Sequence, residues 1–395
     1  MPFCLFCSNP LDETTAPEHI LLNALGGRKK TPTAICSACN NKFGGTIDTA
    51  LTSQVKVLRN LLQLESGTGK PAPALKNVQA GKLKINIKGD GELALVAKPF
   101  TIEQLGEGQW RVQVQAGSKE QLSEIVPHIA AALKIPEERL REQIAAAQGS
   151  IVSQRPAAIY QQIVFDGPDA LRSMVKASLV LWSTLVGNDE IRSAPYHAAR
   201  DFVVNGDEQF LLKQTHLDSR FFVDVERMKF AFGPIFNLIY VRSDQAGRVI
   251  GHFTLYNAVA WQFTLAETGA APNAKIGLIS NPLNPSQWSD RAAEGFDVPF
   301  EWLSSPDYSD EMVRSKARLE AIMQLYVDTS YPKARIRIIE ECFRKLDLTP
   351  DEAVPPEKWV ELSQLIARRI TNHTFSLREE EPISSETIAD MIRKT

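Results

Sequence analysis

Four of the five cysteines lie within the first 39 residues, as Cys4-x-x-Cys7 and Cys36-x-x-Cys39. Thiolates are soft ligands, and four of them close a tetrahedral shell around zinc. The two-residue gap lets both sulfurs of a pair turn towards one ion. In a reducing compartment, clustered pairs of this kind favour a metal site over disulfides. Without a metal, a module of this size has too little core to hold itself together. The knuckles stand 28 residues apart, farther than in a compact zinc ribbon, so a segment with its own task is inserted between them. That segment carries Glu18-His19 and then Leu25-Gly26-Gly27, and Asn40 directly follows the last cysteine of the group. A carboxylate and an amide oxygen are hard donors suited to Mg2+ or Mn2+, and two such ligands leave positions open for water and phosphate. A neutral imidazole can take a proton from water at physiological pH.

The order Cys-x-x-Cys, Glu-His, Leu-Gly-Gly and Cys36-Ser-Ala-Cys39-Asn40-Asn41-Lys42-Phe43-Gly44 resembles an HNH endonuclease with a ββα-metal (treble-clef) core, in the branch with four zinc-binding cysteines. The resemblance covers residues 3–50. It implies structural zinc on Cys4, Cys7, Cys36 and Cys39, and a catalytic Mg2+ or Mn2+ on Glu18 and Asn40. It makes His19 the general base for hydrolysis of DNA phosphodiester bonds, leaving 5′-phosphate and 3′-hydroxyl ends. Lys42, with Arg28, Lys29 and Lys30, supplies local positive charge and reads as a set of phosphate contacts. Two departures stand out. Leu22 occupies a position where most relatives carry proline, and the middle Asn of the family pattern has no counterpart. Asn23 lies too early, and Thr31 or Thr33 occupies the usual region. The competing expectation is a non-catalytic zinc module that docks DNA or protein.

The surrounding sequence predicts an α+β protein. A short strand and knuckle over Met1–Cys7 is followed by a helix starting near Cys36. A second helix over Thr46–Leu64 places Ile47, Leu51, Val55, Leu58 and Leu62 on one face; Asp48 reads as a structural residue of its first turn. Residues 1–65 form the HNH module, 66–80 a linker rich in Gly, Pro and Ser at its start, 81–300 an α+β recognition or regulatory region, and 301–395 a helical region. Alternating residues around Gly89-Asp90-Gly91 predict a hairpin, and Gln109–Gln115 a third strand. Helices are expected over Lys119–Leu133, Glu137–Gln148, Asp169–Leu185 and Tyr196–Val204. Strands are expected over Ala158–Phe165, Phe221–Val225, Ile235–Arg242, Val249–Leu255 and Ala260–Leu265. The C-terminal helices are placed at Ser309–Tyr326, Lys333–Leu346, Pro356–Thr371 and Ser385–Lys394. Gly67-Thr68-Gly69-Lys70 lacks the upstream glycine and the Ser or Thr of a P-loop and is rejected as one. Cys342, in an apolar helical context, reads as a core thiol.

Composition narrows the function classes. The 395 residues, 44% hydrophobic and 23% charged, have the balance of a globular protein of two or three domains. A formal charge of −3 excludes a protein that coats nucleic acid over its whole surface, so contact with DNA must be local. No run approaches the length of a membrane span, and the start Met1-Pro2-Phe3-Cys4 lacks a secretory pattern, which predicts a cytoplasmic protein. A nuclease core of this size does not need the rest of the chain for chemistry. Residues 81–395 are therefore expected to bind a regulatory ligand, a partner protein or a particular nucleic-acid structure, a layout similar to that of phage-defence effectors. A homodimer is a further expectation, because one site per chain cuts one strand at a time.

Overall fold

The computed structural model of the chain describes residues 2–383, except 82, 97–99, 107–108, 115–118, 146–148, 154–158, 160, 162, 166, 376 and 378. Helices and strands mix along the chain, with a cysteine cluster at the N-terminus and a helical C-terminal region, as the sequence predicts. No described helix is long and apolar enough to cross a membrane. The fold divides into two compact units that interleave in sequence. One comprises Met1–Pro73 and Gln162–Asp328, the other Ala74–Gln161 and Thr329–Thr395.

In the first unit the N-terminal module is built of two short strands and a helix. Glu18–His19 pairs antiparallel with Lys30–Thr31, Glu18 opposite Thr31 and His19 opposite Lys30. The connection between them is a turn of 3-10 helix, Asn23–Leu25, ended by Gly26 in the left-handed region at φ 89°. At Gly27 a Cβ would fall 1.8 Å from the carbonyl oxygen of Leu21, so only glycine lets the chain fold back here. Gly67 packs on this turn just as closely, its own Cβ position lying 2.0 Å from the Gly27 oxygen. Helix Ser37–Gly45 follows Cys36, and helix Ile47–Gln54 follows that.

The rest of this unit is a six-stranded antiparallel sheet. Its order is Trp288–Ser289, Lys275–Ser280, Asn237–Ser243, Val249–Leu255, Val259–Ala266, Thr215–Asp218. Because side chains alternate across a strand, neighbouring positions serve opposite faces. Ile239, Val241, Phe253 and Phe263 face one core, whereas Leu238, Tyr240 and Ile250 face another that holds Phe222, Met228 and Phe296. Helix Pro168–Val186, the central helix, belongs to the first of these cores. Proline opens it and Gly187 follows it, and 13 of its 19 residues are buried, so it is apolar on nearly every side. Ile47, Leu51, Val55, Leu58 and Leu62 are all buried in the same core, as expected, along with Leu5, Ile20, Ile35 and Phe43. The module therefore has no separate core of its own; it is packed together with the central helix and one face of the sheet.

The second unit holds a three-stranded antiparallel sheet, Leu75–Ala80, Leu83–Ile87 and Leu93–Leu95, which contains the predicted hairpin. It also holds a hairpin of Phe100–Gly106 with Gln109–Val114, and an antiparallel pair, Gly149–Ser153 with Glu379–Ile383. Helices Lys119–Leu133 and Glu137–Ala145 form a small core around Ile125, Val126 and Ile129. Cys342 is buried with Leu362 and Leu365, a core thiol as expected.

Several expected elements differ. Phe221–Val225 is not a strand: the edge strand is Thr215–Asp218, and Val225 starts helix Val225–Phe232. The helix expected over Thr46–Leu64 is broken at Val55, whose φ of −90° and ψ of 0° interrupt it. The helices expected on either side of Pro332 are one continuous helix, Glu311–Lys345. Proline removes one backbone donor, and Val327-Asp328-Thr329-Ser330-Tyr331 before it are weak helix formers, so local propensity does not explain why the helix runs through. The strand expected over Ala158–Phe165 lies partly outside the described residues, and there Ile159 forms an isolated bridge with Ala80. The helix expected over Ser385–Lys394 lies wholly outside them.

Candidate active site and zinc cluster

The cysteines converge as the spacing requires. Their Sγ atoms all lie within 4.8 Å of one another, and those of Cys7 and Cys36 are 3.6 Å apart. Asn9 donates to this sulfur cluster twice, from its backbone N–H to Cys7 Sγ at 3.5 Å and from Nδ2 to Cys36 Sγ at 3.6 Å. Burial pushes the Cys4 thiol up to about 11. Burial works in the same direction on Cys36, but hydrogen bonds from the Cys39 backbone and Asn9 overcome it and hold that thiol at about 7. Burial and the neighbouring Cys4 raise Cys39. Four crowded thiolates repel one another unless a cation sits among them, and the soft donor set fits zinc. The knuckle is also gripped from outside. Asn188, in helix Asn188–Arg192, donates to the carbonyls of Phe3 at 2.8 Å and Thr33 at 2.5 Å. Arg192 of the same helix donates to the carbonyls of Cys4 and Cys7.

Glu18 and His19 are successive strand residues, so their side chains leave opposite faces. Glu18 points inward and is 4% exposed. Its Oε1 accepts a hydrogen bond from the ammonium of Lys176, in the central helix, at 2.8 Å. The same Nζ donates to Asp48 Oδ2 at 2.6 Å, and Ser173, one turn earlier in that helix, donates to Asp48 Oδ1 at 2.6 Å. Phe43 closes one side: its ring centroid is 5.9 Å from Lys176 Nζ, and Phe6 packs edge-on against it at 5.2 Å. Burial raises the Glu18 carboxyl, with Lys176 working against that shift. Two carboxylates facing one ammonium leave a net negative charge, and the Lys176 bond engages only one Glu18 oxygen. The second Glu18 oxygen is a hard donor of the kind a divalent ion takes, while the ammonium on the first weakens the carboxylate as a ligand.

His19 is half-buried. Burial, with Lys30 and Lys176 nearby, lowers its pKa, so the ring is neutral at pH 7. Its Nε2 is buried from solvent and has no hydrogen-bond partner among the described residues, so a water would have to be admitted to reach it. Of the residues near the position where the family's middle Asn has no counterpart, Thr31 and Thr33 bond each other at 3.0 Å, and Asn23 bonds Thr68 at 3.3 Å. Asn40 is half-exposed in the first turns of helix Ser37–Gly45, its N–H bonded to the Cys36 carbonyl at 2.9 Å.

The four predicted phosphate contacts divide. Lys42 and Lys30 are exposed. Arg28 is exposed too, but its Nε is fixed to the Gly67 carbonyl at 2.8 Å. Lys29 is held by Asp290 at 2.5 Å, which makes it the least available of the group.

Residues 4–56 match the HNH endonuclease family. That is the segment whose cysteines cluster and whose strand carries Glu18-His19, and the HNH family points to nuclease activity, with DNA as substrate. No curated protein and no solved structure matches the chain. Outside the HNH module, Lys176, Ser173, Asn188 and Arg192 all hold it in place, and none stands out from spacing alone. One signal was available: Lys176 is the only charged residue in the long apolar stretch from Ser173 to Val186. A lone buried lysine implies a carboxylate partner.

Proposed function

We propose that the chain is a metal-dependent HNH endonuclease that hydrolyses DNA phosphodiester bonds, with His19 as the general base. The observation that carries this reading is the neutral, half-buried His19 with an unpartnered Nε2, on the strand that turns the Glu18 carboxylate inward within the HNH match. Glu18 and Asn40 would hold a Mg2+ or Mn2+ ion, and that ion supplies stabilisation of the charge that develops on the phosphate and the departing 3′ oxygen. His19 takes a proton from water at Nε2 as the water attacks in line. Lys42 and Lys30, with the guanidinium of Arg28, hold the DNA backbone against the module, and Lys29 contributes less because Asp290 already faces it. The zinc on Cys4, Cys7, Cys36 and Cys39 is structural. In this reading the rest of the chain aims or restrains the nuclease, in the manner of a phage-defence effector, and a homodimer would cut both strands.

One observation favours the second reading, a zinc module that binds without cutting: the Glu18 carboxylate is already occupied by Lys176. The two separate on supercoiled plasmid. With Mg2+ or Mn2+ added, the zinc-loaded protein should nick the plasmid, and a chelator that strips the weakly held ion but leaves zinc should stop it. Plasmid bound but uncut under all ions supports the non-catalytic module.

A further inference from the structure

Lys176 sits where a cation would. Its ammonium lies between two carboxylates, 2.8 Å from Glu18 Oε1 and 2.6 Å from Asp48 Oδ2, and it is wholly buried. Nor can it leave easily. The central helix is buried along most of its length and shares a core with the module and with the sheet, and Lys176 has no exposed surface. Two further contacts fix the geometry: Ser173 holds the far oxygen of Asp48, and the Phe43 ring covers the ammonium. A carboxylate that already accepts from an ammonium is a poorer ligand for a divalent ion, and in a buried site two cations on one carboxylate repel strongly.

We propose that Lys176 is a tethered counter-cation that competes with the divalent ion for Glu18 and thereby sets how tightly the site holds that ion, Asp48 drawing part of the ammonium's charge away from Glu18. The inference rests on the assignment of Glu18 as an ion ligand. It makes the ion affinity of the HNH module a property of a helix 158 residues downstream, and it gives Asp48 and Ser173 a part in tuning that affinity.

Two substitutions move the affinity in opposite directions. Lys176→Met keeps an unbranched side chain one atom shorter and removes its charge, leaving two uncompensated carboxylates, so Mn2+ should bind about tenfold tighter or more. Asp48→Asn leaves the ammonium to Glu18 alone, so Mn2+ should bind more weakly. The measurement is titration of the zinc-loaded full chain with Mn2+, free ion followed by electron paramagnetic resonance, in the absence of DNA. Adding Glu18→Gln to Lys176→Met should erase the gain. Unchanged or weaker binding in folded Lys176→Met overturns the proposal; where that variant does not fold, unchanged binding in Asp48→Asn overturns it instead. The nuclease reading fails separately. A wild-type chain that cuts no DNA, combined with opposite shifts in the two variants, removes nuclease activity and leaves this inference standing. Wild-type cleavage with equal Mn2+ affinity in all variants does the reverse.

Discussion

A Cys39→Ser chain is expected to purify without stoichiometric zinc and to lose the fold of residues 4–56. The module has little to fall back on. Its two strands are two residues each, and its apolar residues are buried only jointly with the central helix and the sheet. Structural zinc in small modules contributes about 10–16 kcal/mol of apparent binding free energy at neutral pH. Loss of the ion also frees the knuckle carbonyls from the geometry that Asn188 and Arg192 recognise. The check is metal content by mass spectrometry with limited proteolysis. The wild type should resist cleavage before residue 56, and the variant should be cut there rapidly. A zinc-free variant with unchanged proteolysis and melting temperature would mean that the four thiols are ordinary buried cysteines.

Lys176→Met should lower the stability of the first unit by about 3–5 kcal/mol in metal-free buffer, the range for removing one partner of a buried ion pair. The reason is less the lost attraction than what remains: Glu18 and Asp48, both buried, would face each other without a counter-charge. Lys176 has no exposed surface through which water could enter to screen them. Removing the carboxylates as well should recover much of the loss, so the triple variant Glu18→Gln, Asp48→Asn, Lys176→Met should be more stable than Lys176→Met alone. Urea unfolding of the wild type and these two variants measures this directly. Equal midpoints for wild type and Lys176→Met would show that the triad contributes nothing to the fold.

The cysteine cluster was legible because it is local, whereas the short strand carrying Glu18-His19 was not placed from the sequence. Sulfur ligands announce themselves by a two-residue gap, and the Leu25-Gly26-Gly27 turn requires glycine at Gly27, where a Cβ would strike the Leu21 oxygen. The buried face of Ile47, Leu51, Val55, Leu58 and Leu62 was readable for the same reason, since period alone decides it. What the sequence concealed is long-range. Lys176 answers a charge 158 positions away, and no spacing rule connects the two. The interleaved units are equally hidden, because residues 74–161 leave the first unit and the sheet that completes it begins only afterwards. Thr215–Asp218 was overlooked and Phe221–Val225 chosen because an edge strand is placed by its neighbour, Val259–Ala266, and not by its own apolar content. Pro332 misled in the opposite direction: a local stop signal beside the weak helix formers Val327 to Tyr331 did not end the helix, and local propensity does not explain it.

The assignment of His19 is most directly tested by the single-turnover rate of the zinc-loaded His19→Ala chain on plasmid DNA with saturating Mn2+. A general base contributes about 10²–10⁴-fold, so cleavage should fall by that factor while zinc content, Mn2+ affinity and melting temperature stay at wild-type values. A variant that cuts at the wild-type rate would contradict the account, because the one imidazole on the Glu18 strand would then have no part in the chemistry.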